Sequence, residues 1–104
     1  VVVDVNGFQY GGATHDLMNM DPMVDKWKAF GWNITEVDGN NIAQLKTALD
    51  KQNRSPDKPT CIIANTVKGF GVPMFEGNEW HHGVVTREVL EKTLHELEGW
   101  RVAQ

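Results

Sequence analysis

Three short stretches of the 104-residue chain carry side chains able to hold a hard metal ion or an anion. The first is Asp4-Val5-Asn6-Gly7-Phe8-Gln9. A carboxamide just past a β-branched run offers a neutral oxygen. Gly7 lets the backbone turn so that a nearby carbonyl points the same way. Two such oxygens suit a six-coordinate Mg²⁺ that also binds phosphate oxygens. An asparagine-glycine pair is nonetheless a turn signal first, and an Asx turn ending the strand explains it without a metal.

The second stretch is Lys68-Gly69-Phe70-Gly71, directly after a predicted strand. Its glycines would let backbone N–H groups come close to a diphosphate. The lysine precedes the glycines, so this is no Walker loop, and a plain connecting loop is the competing reading. The third is Glu79-Trp80-His81-His82-Gly83. Adjacent residues of an extended loop point opposite ways, so one metal is not expected to take both imidazoles. One imidazole aimed at a phosphate or a substrate hydroxyl fits better. Two solvated histidines beside a packing tryptophan is the plainer alternative.

Other candidates read as structural. His15 falls in a loop after Gly11-Gly12, and His95 on the polar side of the last helix, both as solvated residues. Cys61 sits in an apolar run and behaves as a small hydrophobe. Trp27, Trp32 and Trp100 serve packing, and the acidic residues of the last helix form a solvated face.

The elements that must position these residues alternate. Val1 to Val5 is a strand ending in a polar, glycine-bearing loop. Asp21-Pro22 reads as an N-cap with proline at the first helical position, opening a helix to Phe30. Val24, Trp27 and Phe30 form its apolar stripe, and Gly31 stops it. Trp32 to Val37 is a strand closed by Asp38-Gly39. Asn41 caps a second helix with Ile42, Leu45 and Leu49 on its apolar face. Residues 52–59 form a polar connection, and Thr60 to Val67 makes a third strand. Thr86 caps a last helix whose Val89, Leu90, Thr93, Leu94 and Leu97 face a core, ending at Gly99. This order predicts an α/β fold, a parallel sheet flanked by helices. Ligands of such sheets sit outside the carboxyl ends of the strands, which gathers residues 6–10 and 68–82 at one edge.

The length fits one domain and is too short for two ordinary ones. A formal charge of −4 gives no basic patch for nucleic acid. No run approaches the roughly 20 apolar residues that span a bilayer. One cysteine excludes an internal disulfide and suits a reducing compartment, with the cytoplasm as the default. The opening Val1-Val2-Val3-Asp4 looks like an interior strand, which needs neighbours on both edges. That suggests a start in the middle of a domain.

Taken in order, the motifs resemble transketolases, above all the N-terminal subunits of the two-chain bacterial type. The resemblance is carried by residues 1–9 (Val-Val-Val-Asp-Val-Asn-Gly-Phe-Gln), by Gly11-Gly12-Ala13-Thr14 and by Asp25 to Trp32. It continues through Glu36-Val37-Asp38-Gly39, Lys58-Pro59-Thr60, Ala64 to Gly71 and Glu79 to Gly83, almost end to end. It implies that residues 1–104 are the C-terminal part of a diphosphate-binding domain in the thiamine-diphosphate-binding fold.

On this resemblance Asn6 gives its side-chain oxygen, and Phe8 its backbone carbonyl, to the Mg²⁺ (or Ca²⁺ or Mn²⁺) that anchors thiamine diphosphate. Tyr10 lies near the cofactor where an aliphatic residue is expected, and Lys68 and Gly69 flank it. His82 contacts the diphosphate and assists proton movement, with His81 the alternative for that role. The family's Gly-Asp-Gly motif and its pyrimidine-binding domain fall outside this sequence. The resemblance therefore implies a hetero-oligomer built on a dimer, with partners carrying those parts. The implied reaction, in pentose-phosphate-type carbohydrate metabolism, moves a two-carbon ketol unit from a ketose phosphate to an aldose phosphate. Acyl transfer from a 2-keto acid and a non-catalytic structural role are the alternatives.

Overall fold

The computed structural model describes residues 1–50, 56–77 and 80–102. Strand β1 (Val2–Val5) is followed by a short antiparallel ribbon, β2 (Phe8–Gln9) and β3 (Gly12–Ala13). Helices α1 (Thr14–Leu17) and α2 (Met23–Ala29) come next, then β4 (Asn33–Asp38), α3 (Ile42–Leu49), β5 (Thr60–Asn65) and α4 (Arg87–Val102). The ribbon and α1 stand where sequence indicated only a glycine loop.

The predicted parallel sheet is present, in the order β1-β5-β4. Strand β5 takes the centre because its Cys61-Ile62-Ile63-Ala64 run is apolar on both faces, and none of the four is more than 4% exposed. On one face Ile62 and Ala64 meet Val37 of β4 and Leu45 and Ala48 of α3. On the other, Ile63 borders a crevice shared with Pro22, Met23 and Val24. Burial pushes the Cys61 thiol up from its ordinary pKa, which withholds the thiolate at neutral pH. Among the described residues β1 pairs with β5 alone, leaving Val2 half exposed rather than interior.

Several boundaries differ from expectation for identifiable reasons. Strand β5 stops at Asn65, not Val67, because the Val67 N–H donates to the Asn40 side-chain oxygen at 2.7 Å. Helix α2 begins at Met23, with extended Pro22 in the cap position rather than Asp21. The Asp21 N–H is held by the Asn19 side chain, while Lys26 Nζ reaches back to the Met20 and Asp21 carbonyls. Because α2 ends at Ala29, Phe30 leaves the apolar stripe and is 82% exposed. Gly31 is the stop: its N–H bonds the Lys28 carbonyl and that of Trp32 bonds Trp27, the Schellman pattern.

Asn41 caps α3 as predicted, accepting from the Gln44 N–H at 3.1 Å. The packing stripe of α3 centres on Leu45 and Ala48, however, so Ile42 and Leu49 fall to either side and are exposed. Thr86 caps α4 through the Val89 N–H. That helix runs through Gly99 to Val102, because Gly99 does not adopt the positive φ a glycine stop needs. Leu90 and Leu94 remain about half exposed on α4. Glu96 departs from the solvated-face reading, since its Oε2 is shielded from water without a hydrogen-bond partner among the described residues. The connection expected over residues 52–59 falls partly on 51–55, outside the described residues.

Two substitutions test this packing by urea unfolding. Ile63→Ala should cost about 2–5 kcal/mol through the cavity it leaves at the sheet centre. Asn41→Ala should cost about 1 kcal/mol through the lost cap.

Candidate functional site

Val5, Asn65 and Asp38 stand side by side in register. The three parallel strands therefore end level, and their following loops leave from a single edge. At β1 the first residue past the strand is Asn6. Its Oδ1 accepts the Phe8 N–H at 2.9 Å, and its Nδ2 donates to Asp4 Oδ2 at 3.3 Å. The Asx turn is thus formed, and the carboxamide is fixed at both ends with one Oδ1 lone pair still uncommitted. The other Asp4 oxygen accepts from the Thr66 hydroxyl, which ties this loop to the segment after β5. Gly7, at φ +78°, turns the chain so that its carbonyl accepts from the Thr14 N–H at 2.8 Å. Beside them lies a cavity of about 180 Å³ lined by Asp4, Asn6, Phe8, Thr14, His15 and Asp21, among others.

Beyond β5 the glycine loop uses its own donors. Phe70 N–H bonds the Val67 carbonyl, Val72 N–H the Gly69 carbonyl, and Gly71 N–H the Glu76 carboxylate at 2.8 Å. Those three N–H groups are therefore engaged within the loop and its following turn. Glu76 was not visible from sequence, since an acidic residue five positions after a glycine has no distinctive pattern. Gly69 is required by close approach, because a Cβ there would stand 2.3 Å from the Phe75 carbonyl oxygen at φ +76°. Lys68 next to it accepts the Gly77 N–H on its carbonyl and donates from Nζ to the Trp80 carbonyl at 2.7 Å.

That last bond brings in the histidine segment. His81 and His82 do not diverge as neighbours in an extended loop would, because the backbone bends at both. Their ring centroids are 4.7 Å apart, and both meet Tyr10, at 5.7 Å and 4.8 Å respectively. On the other side Trp80 packs on Phe75 at 4.8 Å. The loop carrying Asn6 and Phe8 and the loop carrying His81 and His82 thus converge through Tyr10. Glu79 lies outside the described residues.

The remaining candidates stay apart from this junction. His15 belongs to α1 rather than a loop and pairs with Asp16 in the open, while His95 is exposed on α4. His15 does border the cavity beneath Asn6, a placement that only the unforeseen α1 creates. A larger groove, about 630 Å³, runs between β4 and α3, but Thr35, Val37, Gln44 and Ala48 give it no titratable side chain. Among the described residues no group of three or more His, Cys, Asp or Glu could hold a metal.

The family model described as transketolase, thiamine diphosphate binding domain, matches residues 1–104. The chain belongs to the transketolase family. A 6-deoxy-6-sulfo-D-fructose transketolase subunit from a Clostridium species is 35% identical over 96 residues, 91% of this chain and 35% of that protein. One of the two subunits of an apulose-4-phosphate transketolase from Actinobacillus succinogenes is 39% identical over 98 residues, 93% of this chain and again 35% of its own length. The chain therefore spans about a third of these transketolase relatives. The crystal structure of Campylobacter jejuni transketolase superposes with a TM-score of 0.77 at 24% identity, over 93% of this chain and 15% of that one. That likeness establishes the transketolase fold for the parallel sheet and its helices.

The contact at Gly69 makes a sharp test within this frame. Gly69→Ala should cost at least about 1–2 kcal/mol from the left-handed backbone alone, with the Phe75 clash added. Thermal unfolding followed by circular dichroism measures it, and a wild-type melting temperature would contradict the close approach.

Proposed function

We propose that the chain is a component of a thiamine-diphosphate-dependent transketolase that moves a two-carbon ketol unit from a ketose phosphate to an aldose phosphate. The observation that carries this reading is the meeting of the Asn6 loop with the His81–His82 loop at the carboxyl edge of the sheet, through Tyr10. In this reading residues 1–104 are the C-terminal part of the diphosphate-binding domain. The Gly-Asp-Gly half and the pyrimidine-binding subunit come from elsewhere in a cytoplasmic hetero-oligomer built on a dimer. That two of the relatives are named as transketolase subunits supports such an assembly.

The donor set fits the cofactor's metal. Asn6 presents a neutral oxygen whose orientation Asp4 and the Phe8 N–H both fix, and Phe8 adds a backbone carbonyl next to it in the chain. Neutral oxygens of this kind are the ligands that Mg²⁺, Ca²⁺ or Mn²⁺ accept beside phosphate. Thiamine diphosphate supplies the carbanion chemistry when bound, while the protein binds and orients. Lys68 contributes positive charge at the same edge and keeps its loop in place through the Trp80 carbonyl. Gly69, adjacent to it, allows the chain to pass without a side chain. His82, with His81 beside it, offers an imidazole able to give and take a proton at a diphosphate or a substrate hydroxyl.

Calorimetry on the complete assembly tests the assignment. Asn6→Ala should weaken Mg²⁺-dependent binding of thiamine diphosphate by about tenfold or more, as loss of a metal-site group does. Unchanged affinity would remove Asn6 from the site. In the same assembly a ketose phosphate with an aldose phosphate should turn over, and turnover of pyruvate in its place would replace ketol transfer by acyl transfer.

A further inference from the structure

Tyr10 makes contacts that its place in the chain does not announce. It sits in the tight turn between β2 and β3 and is 76% exposed, so no core holds it and it supports no core. Its ring nevertheless stands edge-on to both imidazoles, closer to His82, at 4.8 Å and an interplanar angle of 66°. Among the described residues the ring partners of His82 are Tyr10 and His81.

The segment around His82 has little else to orient it. Residues 80–85 form neither helix nor strand, and Val84 and Val85 are exposed. What anchors the segment acts at Trp80: Lys68 Nζ holds its carbonyl, and Phe75 packs on its indole. Those contacts fix the backbone two residues upstream and leave the imidazole free to turn about its own torsions. An aromatic ring set edge-to-face against an imidazole removes that freedom, because the quadrupoles favour the tilted arrangement over others. The ring that does so grows from the same turn as Asn6 and Phe8. The orientation of His82 is thereby referred to the loop that offers oxygen ligands, not to its own loop.

We propose that Tyr10 is a positioning residue that holds the His82 imidazole over the Asn6–Phe8 loop. The inference rests on the reading of His82 as a site residue and adds the device that orients it. It also separates the histidines, since the Tyr10 ring stands closer to His82 than to His81.

The experiment uses the complete assembly and two readouts. One is the rate at which diethyl pyrocarbonate modifies each imidazole, followed by peptide mass spectrometry without substrate or cofactor. The other is steady-state kinetics. Tyr10→Ala should raise the modification rate of His82 by about two- to tenfold, the range that an ordinary aromatic pair implies. It should lower kcat by about tenfold with a smaller change in KM, the mark of a misplaced group rather than a lost binding contact. Tyr10→Phe keeps the ring and should recover most of both losses. A His82 modification rate unchanged in Tyr10→Ala would overturn the proposal. So would a Tyr10→Phe variant as impaired as Tyr10→Ala, since the hydroxyl and not the ring would then matter. If the wild-type assembly binds no thiamine diphosphate, the functional reading falls, and the modification rates alone decide the positioning role.

Discussion

Parallel strands that share one register end together, and the site proposed for this chain depends on that alignment. With Val5, Asn65 and Asp38 level, the residue that follows each strand starts from the same height. Asn6, Thr66 and Gly39 then become neighbours although they are far apart in sequence. The cross-links follow from this: Thr66 to Asp4, Val67 to Asn40, and the Gly39 N–H to the Asn65 carbonyl at 2.7 Å. A slip of one residue in β1 would turn Asp4 to the opposite face and separate Asn6 from the segment that leads to Lys68. The apolar run Cys61 to Ala64 sets the register, because its burial on both faces leaves no alternative pairing of similar energy.

The rest of the molecule is less closed. The radius of gyration is 16.9 Å, against about 13 Å for a compact chain of this length. Ile42, Phe30 and the half-exposed leucines of α4 present apolar surface to solvent. A chain that spans about a third of its relatives has fewer elements with which to cover such faces. The buried core is correspondingly narrow, one strand with a helix on one face and part of a second on the other. In the proposed assembly the uncovered faces are where the remaining parts of the domain would pack.

Much of this could be read from sequence because local signals agreed with tertiary packing. The β-branched opening run, the Cys61 to Ala64 run, the Asn41 cap, the Gly31 stop and the Thr86 cap all appear where residue chemistry placed them. The misreadings arose where a distant partner intervened. Val67 leaves the strand because Asn40, 27 positions away, takes its N–H. Ile42 follows helical periodicity yet lies beside the stripe that meets the sheet. The two histidines were expected to diverge, and a backbone bend with Tyr10 against it brings them together. Asn6 and His82 were named from their types and spacing, but the tyrosine that joins their loops was seen only as a departure from an aliphatic position. Ring contacts between residues so far apart in the chain leave no trace in spacing.

The central claim is that Asn6 and His82 act at one place. A double-mutant cycle on thiamine diphosphate affinity, measured in the complete Mg²⁺-loaded assembly with Asn6→Ala, His82→Ala and the pair, addresses it directly. Residues that share a ligand couple, and the expected interaction energy is about 0.5–3 kcal/mol. Losses that simply add, as they do for distant independent sites, would contradict it.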